Sequence, residues 1–160
     1  MKKILITGGA GYIGSHITEL LIKKKYEVFI IDNLSTGFKK LINKKAIFFK
    51  IDLKEKAKIR NLILKYSIDS VIHLAALLDV NESQKKPIKY FQNNVIGTKN
   101  LLKASLNSKV KNFIFSSTAA VYKDGIFKVN EKSPTKPKSN YGKGKEKAEK
   151  LIQSTFQNTN

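Results

Sequence analysis

Apolar residues along this chain gather in short, largely β-branched runs separated by longer amphipathic stretches. Five runs stand out: "KILIT" (Lys3 to Thr7), "EVFIID" (Glu27 to Asp32), "AIFFKID" (Ala46 to Asp52), "DSVIHLAA" (Asp69 to Ala76) and "NFIFSST" (Asn112 to Thr118). Their apolar positions run on rather than alternate, which predicts strands buried on both faces. Helical spacing fills most of the gaps, from Gly14 to Lys25, Glu55 to Tyr66, about Pro87 to Ser105, and Tyr141 to Gln157. Strand alternating with helix implies parallel strands joined by right-handed crossovers. The expected architecture is a doubly wound parallel α/β sheet of strand order 3-2-1-4-5. Lys123 to Asn140 holds two of the three prolines and reads as a loop, with Ser139 or Asn140 as N-cap of the last helix. Glu82 and Ser83 read as a helix N-terminal cap.

Length changes this picture little: 160 residues suit one domain over Met1 to Asn160 and are too few for two of ordinary size. There is no cysteine, hence no disulfide framework or thiolate metal site. The first apolar run is too short for a signal peptide, and no later run approaches the roughly 20 apolar residues of a membrane span. A soluble cytoplasmic protein is expected. The net charge of +19 raises nucleic-acid binding as a possibility. The lysines are scattered through every segment, however, and Arg60 is the single arginine, so a solvated basic surface is the expected reading and no specific nucleic-acid partner.

"TGGAGYIGSH" (Thr7 to His16) lies where the first strand gives way to the first helix. Gly9, Gly11 and Gly14 spell GxGxxG; Gly8, Gly11 and Gly14 spell GxxGxxG. In either register the missing side chains permit a tight turn, close approach to a pyrophosphate and packing of helix on sheet, while the helix N-terminus offers free N–H groups. Asp32 closes the next strand, where a carboxylate accepts hydrogen bonds from the adenosine ribose hydroxyls and repels a 2′-phosphate. A Rossmann dinucleotide site that prefers NAD is expected. Asp52 ends the third strand, either facing the adenine or capping the following helix. His73 reads as a packed core residue, and two histidines cannot build a His-based metal site.

"FIFSSTAAVY" leaves Ser116, Ser117 and Thr118 at the end of the fifth strand, and "YGKGK" opens the last helix with Tyr141 one turn before Lys145. Alone, Tyr-xxx-Lys carries no weight, since six tyrosines among so many lysines give about one by chance. Together with "ITGGAGYIGSH", "IDNLSTG" and "ESQKKPIKYFQNNVIGTKNLL", these motifs make the chain resemble, over nearly its whole length, the extended short-chain dehydrogenase/reductase family and within it the UDP-glucose 4-epimerases.

The resemblance implies that Tyr141 and Lys145 are the catalytic pair and that Thr118 hydrogen-bonds the reacting oxygen. It implies cofactor contacts at Gly8, Gly11, Tyr12, Ile13, Gly14, Asp32, Asn33, Asp52, Leu53, Leu74, Ala75, Ala76, Leu78, Asn93, Tyr141 and Lys145. Leu78 stands where the epimerase pattern often has lysine, and Gly144 where serine is common. A phenol near pKa ~10 is a poor base at neutral pH, but a neighbouring ammonium favours its phenolate. The implied reaction is NAD-dependent epimerisation at C4′ of a nucleotide-sugar such as UDP-glucose or UDP-galactose, by hydride removal, turning of the 4-keto sugar and hydride return. Dehydratases and decarboxylases of the fold need an acid where this chain has Ala119 and Ala120. Family members continue with further strands and a substrate domain, so the chain is expected to be the N-terminal part of an epimerase, with a homodimer formed through a helix bundle. A non-catalytic NAD-binding module and a basic nucleic-acid binder are the rival readings.

Overall fold

The computed structural model describes residues 1–106, 108–125 and 128–157. Five strands form one parallel sheet: β1 (Lys3–Thr7), β2 (Glu27–Asp32), β3 (Ile47–Lys50), β4 (Ser70–His73) and β5 (Asn112–Phe115). Their order is 3-2-1-4-5, as the pattern predicts. The central register sets Thr7 opposite both Ile31 and His73. The helices are α1 (Tyr12–Lys23), α2 (Lys56–Tyr66), α3 (Val80–Lys85), α4 (Pro87–Tyr90), α5 (Gly97–Leu106) and α6 (Asn140–Gln157), with a π-helical turn at Phe91–Ile96 joining α4 to α5.

The chain divides into two compact units, residues 1–76 with 100–116 and residues 77–99 with 117–160. The first contains the whole sheet. Successive strand residues point to opposite faces, and each face builds a separate core. Ile4, Ile6, Val28, Ile30 and Ile72 pack with Ile17, Leu21 and Ile22 of α1. On the other face Leu5, Phe29, Ile31 and Val71 meet Ile59, Leu62 and Ile63 of α2 and Leu101 and Ala104 of α5. That two-sided covering is why β1, β2 and β4 read as unbroken apolar runs. The expectation of burial on both faces fails for β3 and β5, the sheet edges, where Ile47 and Ile114 are 38% and 57% exposed.

The second unit packs α6 against α3, α4, the π turn and the 3₁₀ turn Ala119–Val121. Two expectations are corrected here. The stretch from Pro87 to Ser105 is not one α-helix but α4, a π turn and α5. Glu82 and Ser83 lie inside α3, whose N-cap is Asp79: its carboxylate accepts the Glu82 N–H at 2.8 Å. Ser139 does cap α6, its hydroxyl accepting the Gly142 N–H at 3.0 Å. Among the described residues no helix is long and apolar enough to cross a membrane.

Candidate functional site

The candidate residues fall into two sets, one in each unit. In the first, the chain leaves β1 at Thr7 and turns at Gly8, whose φ of +77° lies in the left-handed region that favours glycine. A Cβ on Gly8 would sit 2.7 Å from the Ala75 backbone nitrogen, and one on Gly14 would sit 2.2 Å from the Gly8 carbonyl oxygen. The three atoms nearest a Cβ on Gly9 all belong to the Ile30 side chain, whereas those nearest Gly8 and Gly14 are backbone atoms, so the GxxGxxG register carries the tightest backbone constraints. Gly11 is the N-cap of α1 and has no side chain to satisfy the first-turn N–H groups, and no acidic residue stands in that turn. The result is a tight, uncapped and positively polarised helix end, a fit for an anionic pyrophosphate. Tyr12 and Ile13, in its first turn, are 77% and 56% exposed.

Asp32 closes the loop. Its Oδ2 accepts the Ala10 N–H at 3.0 Å and its Oδ1 accepts the Leu34 N–H at 2.8 Å, so it holds the glycine turn against the end of β2 while keeping lone pairs for further donors. Asn33 and Asp52 are brought together: the Asn33 amide donates to Asp52 Oδ2 at 2.9 Å, and the Lys54 N–H donates to Oδ1 at 2.8 Å. Partial burial acts to raise the Asp52 pKa, but these donors and the Lys54 charge outweigh it and hold the carboxyl below its usual range. Leu53 contributes its side chain to the core, and its carbonyl accepts from the Asn100 amide at 3.0 Å. The turn after β4 is tied to β1, because the Leu74 N–H bonds the Thr7 carbonyl at 3.1 Å and the Ala75 N–H bonds the Thr7 hydroxyl at 3.3 Å. His73 is buried beside that hydroxyl, its Nδ1 2.6 Å away, as a core residue should be. Half-buried Ala76 ends this set.

In the second unit Leu78 is 66% exposed. Its neighbour Leu77 is clamped by Asn94, which accepts the Leu77 N–H and donates to the Leu77 carbonyl, both at 2.9 Å. Asn93, the predicted contact, is half-buried and donates to the Asn94 carbonyl oxygen of the side chain at 2.9 Å. Thr118 caps the 3₁₀ turn, accepting the Ala120 N–H at 3.2 Å. Where that turn meets α6, a Cβ on Gly142 would lie 2.5 Å from the Ala120 carbonyl oxygen. The glycine beside Tyr141 therefore lets the helix approach the segment that carries Thr118. Tyr141 and Lys145 are both buried, at 8% and 3% exposure. The Tyr141 N–H is received by the Ser83 hydroxyl at 3.1 Å.

Burial pushes the Lys145 ammonium down from an ordinary 10.5 to about 8, against the opposing charge of Glu149. Between about pH 8 and the unfolded value the unfolded chain holds a proton that the folded chain has lost, so this contribution to stability rises with pH through that window, and the penalty is complete below it. Lys145→Met is therefore expected to raise thermal stability at pH 7, by on the order of 3 kcal/mol, with the gain fading as pH approaches the unfolded lysine value. Calorimetry at neutral and alkaline pH checks it. An unchanged melting temperature at pH 7 would contradict a desolvated cation.

Asn94, the Ser83 bond to Tyr141, the constraint at Gly142 and the Ser117–Glu149 hydrogen bond went unread in the sequence. Only Glu149 left a signal there, its four-residue spacing from Lys145.

Residues 4–160 match the model of the NAD dependent epimerase/dehydratase family. The chain is 42% identical over 150 residues to the UDP-glucose 4-epimerase of Halalkalibacterium halodurans, covering 93% of this chain and 45% of that protein. Its fold matches the UDP-Glc/GlcNAc 4-epimerase of Campylobacter jejuni with a TM-score of 0.95 at 38% identity, over 98% of this chain and 50% of that one. The Thermus thermophilus UDP-glucose 4-epimerase in complex with NAD gives 0.92 at 35% identity, over 98% and 51%. The chain spans about half the length of the curated relatives it matches.

Proposed function

Because this chain belongs to the NAD dependent epimerase/dehydratase family, we propose that it supplies the dinucleotide cradle and the proton-transfer groups of a nucleotide-sugar 4-epimerase acting on UDP-glucose, UDP-galactose or a close analogue. The observation that carries this reading is the buried Tyr141 one helical turn from a buried Lys145, on a helix seated against the turn capped by Thr118.

Each residue has a role its environment suits. Gly8, Gly11 and Gly14 leave space for the pyrophosphate, and the uncapped N–H groups of α1 face its charge. Asp32 has acceptor capacity left for ribose hydroxyls. The glycine turn and Asp32 would hold NAD, whose nicotinamide would supply a reversible hydride acceptor. Tyr141 takes the proton of the sugar 4′-hydroxyl as C4′ is oxidised and returns it after the keto sugar has turned its other face. Lys145 supplies the adjacent positive charge that a phenol needs to act as a base. Thr118 orients the oxygen through a hydrogen bond that persists as hydroxyl becomes carbonyl. Ala119 and Ala120 cannot move protons, so elimination and decarboxylation have no acid at those positions. Self-association belongs to the same reading, through the faces of α4, the π turn and α6, where Ile88 and Phe91 are exposed.

Incubating the natively expressed protein with UDP-galactose and following product by anion-exchange chromatography tests the proposal. Expected is an equilibrium mixture with UDP-glucose and no stoichiometric reduced nicotinamide. Accumulation of NADH with oxidised sugar would make the protein a dehydrogenase; no turnover of any UDP-sugar would end the epimerase reading.

A further inference from the structure

The stripe of α6 that presents Tyr141 and Lys145 continues at the same four-residue spacing to Glu149. Glu149 is half-buried, and the hydroxyl of Ser117 donates to its Oε1. Ser117 is the residue before Thr118, so one carboxylate joins the hydroxyl run to the helix that bears the tyrosine and the lysine. A side chain tied down in this way keeps its charge at a fixed place along the stripe, one turn beyond the ammonium.

The other segments packed on α6 bring little competing charge. The π turn and the 3₁₀ turn carry no titratable side chain. From α3 and α4, Glu82 is engaged by Lys86, Lys89 and Tyr90, and Lys85 is exposed. On α6 itself, Glu146 is engaged by Thr135 and Lys150, while Lys143 and Lys147 are exposed. Burial strips solvent from Lys145, and Glu149 is the charge that opposes the effect.

We propose that Glu149, tethered by Ser117, is a positioning residue that keeps the Lys145 ammonium charged beside Tyr141; its catalytic meaning rests on the epimerase reading above. Removing the carboxylate takes away a charge that opposes the desolvation of the buried lysine, which favours the neutral amine, and a neutral amine no longer assists the phenol.

A pH titration of the chain carrying 13C-labelled lysine tests this without turnover, the Lys145 signal being the one absent from Lys145→Arg. Glu149→Gln is expected to lower the Lys145 midpoint by about one pH unit. Ser117→Ala should lower it by less, and Glu149→Asp should largely restore it. In the natively expressed protein, the same variants should shift the pH profile of kcat/KM in parallel, lowering kcat more than they raise KM. A Lys145 midpoint unmoved in Glu149→Gln overturns the proposal. Should that variant fail to fold, an unmoved midpoint in Ser117→Ala does the same. A shifted midpoint in a protein whose wild type turns over no nucleotide-sugar supports the tether and overturns the epimerase reading instead.

Discussion

Replacing Tyr141 with phenylalanine is expected to lower epimerisation by the natively expressed protein by about a thousandfold, the middle of the range for a positioned general base. The ring stays where it is. Tyr141 is 8% exposed and is anchored through its backbone N–H to Ser83, a bond that does not involve the phenol. Thermal stability should therefore hold while the rate falls, and a stopped-time assay run beside calorimetry separates the two. A variant keeping a tenth or more of wild-type turnover would remove the phenol from the proton path and leave the fold without the assigned reaction.

The second large effect concerns the cradle. Gly14→Ala places a methyl 2.2 Å from the Gly8 oxygen and 2.7 Å from the Gly9 Cα, both backbone atoms, so no rotamer change can make room. The loop must open, which costs at least about 2 kcal/mol as overpacking and shifts the N–H groups away from the anion they would bind. NAD binding, measured by calorimetric titration of the chain itself, should fall below detection, with a lowered melting temperature. Wild-type affinity in this variant would mean that the dinucleotide does not use the glycine turn.

The parts of the fold that sequence patterns reveal are those dictated by burial. β1 and β2 occupy the predicted spans because two core layers require apolar residues at every position. β3 and β4 are shorter than their apolar runs, because strand pairing ends before the apolar character does, whereas β5 stops at Phe115, where the apolar residues give way to Ser116, Ser117 and Thr118. α3 escaped prediction as a helix because "VNESQK" is too short and too polar to show a period.

The π turn sets the facing of two neighbouring asparagines. A turn with an extra residue advances the helical phase, so the 3.6-residue rule cannot say which of Asn93 and Asn94 turns inward. Asn94 is the buried one, while Asn93, the contact that the resemblance implies, stays half-buried. The glycine loop and Asp32 were readable because phosphate chemistry demands residue types at fixed local spacing. The contacts of Ser83, Gly142 and Ser117 were not, since the pairs Ser83–Tyr141, Gly142–Ala120 and Ser117–Glu149 lie 22 to 58 positions apart in sequence, and only the folded chain sets them side by side.

The two glycines of "YGKGK" look interchangeable on paper and are opposites in space. At Gly142 a neighbouring carbonyl forbids any side chain, whereas at Gly144 a Cβ would meet only Val95 Cγ2, at an ordinary 3.7 Å. Natural variation in this helix is thus channelled: the first position is frozen by its surroundings, and the second is spare room where a lineage can exchange glycine for serine or alanine and stiffen the helix without touching the reacting groups.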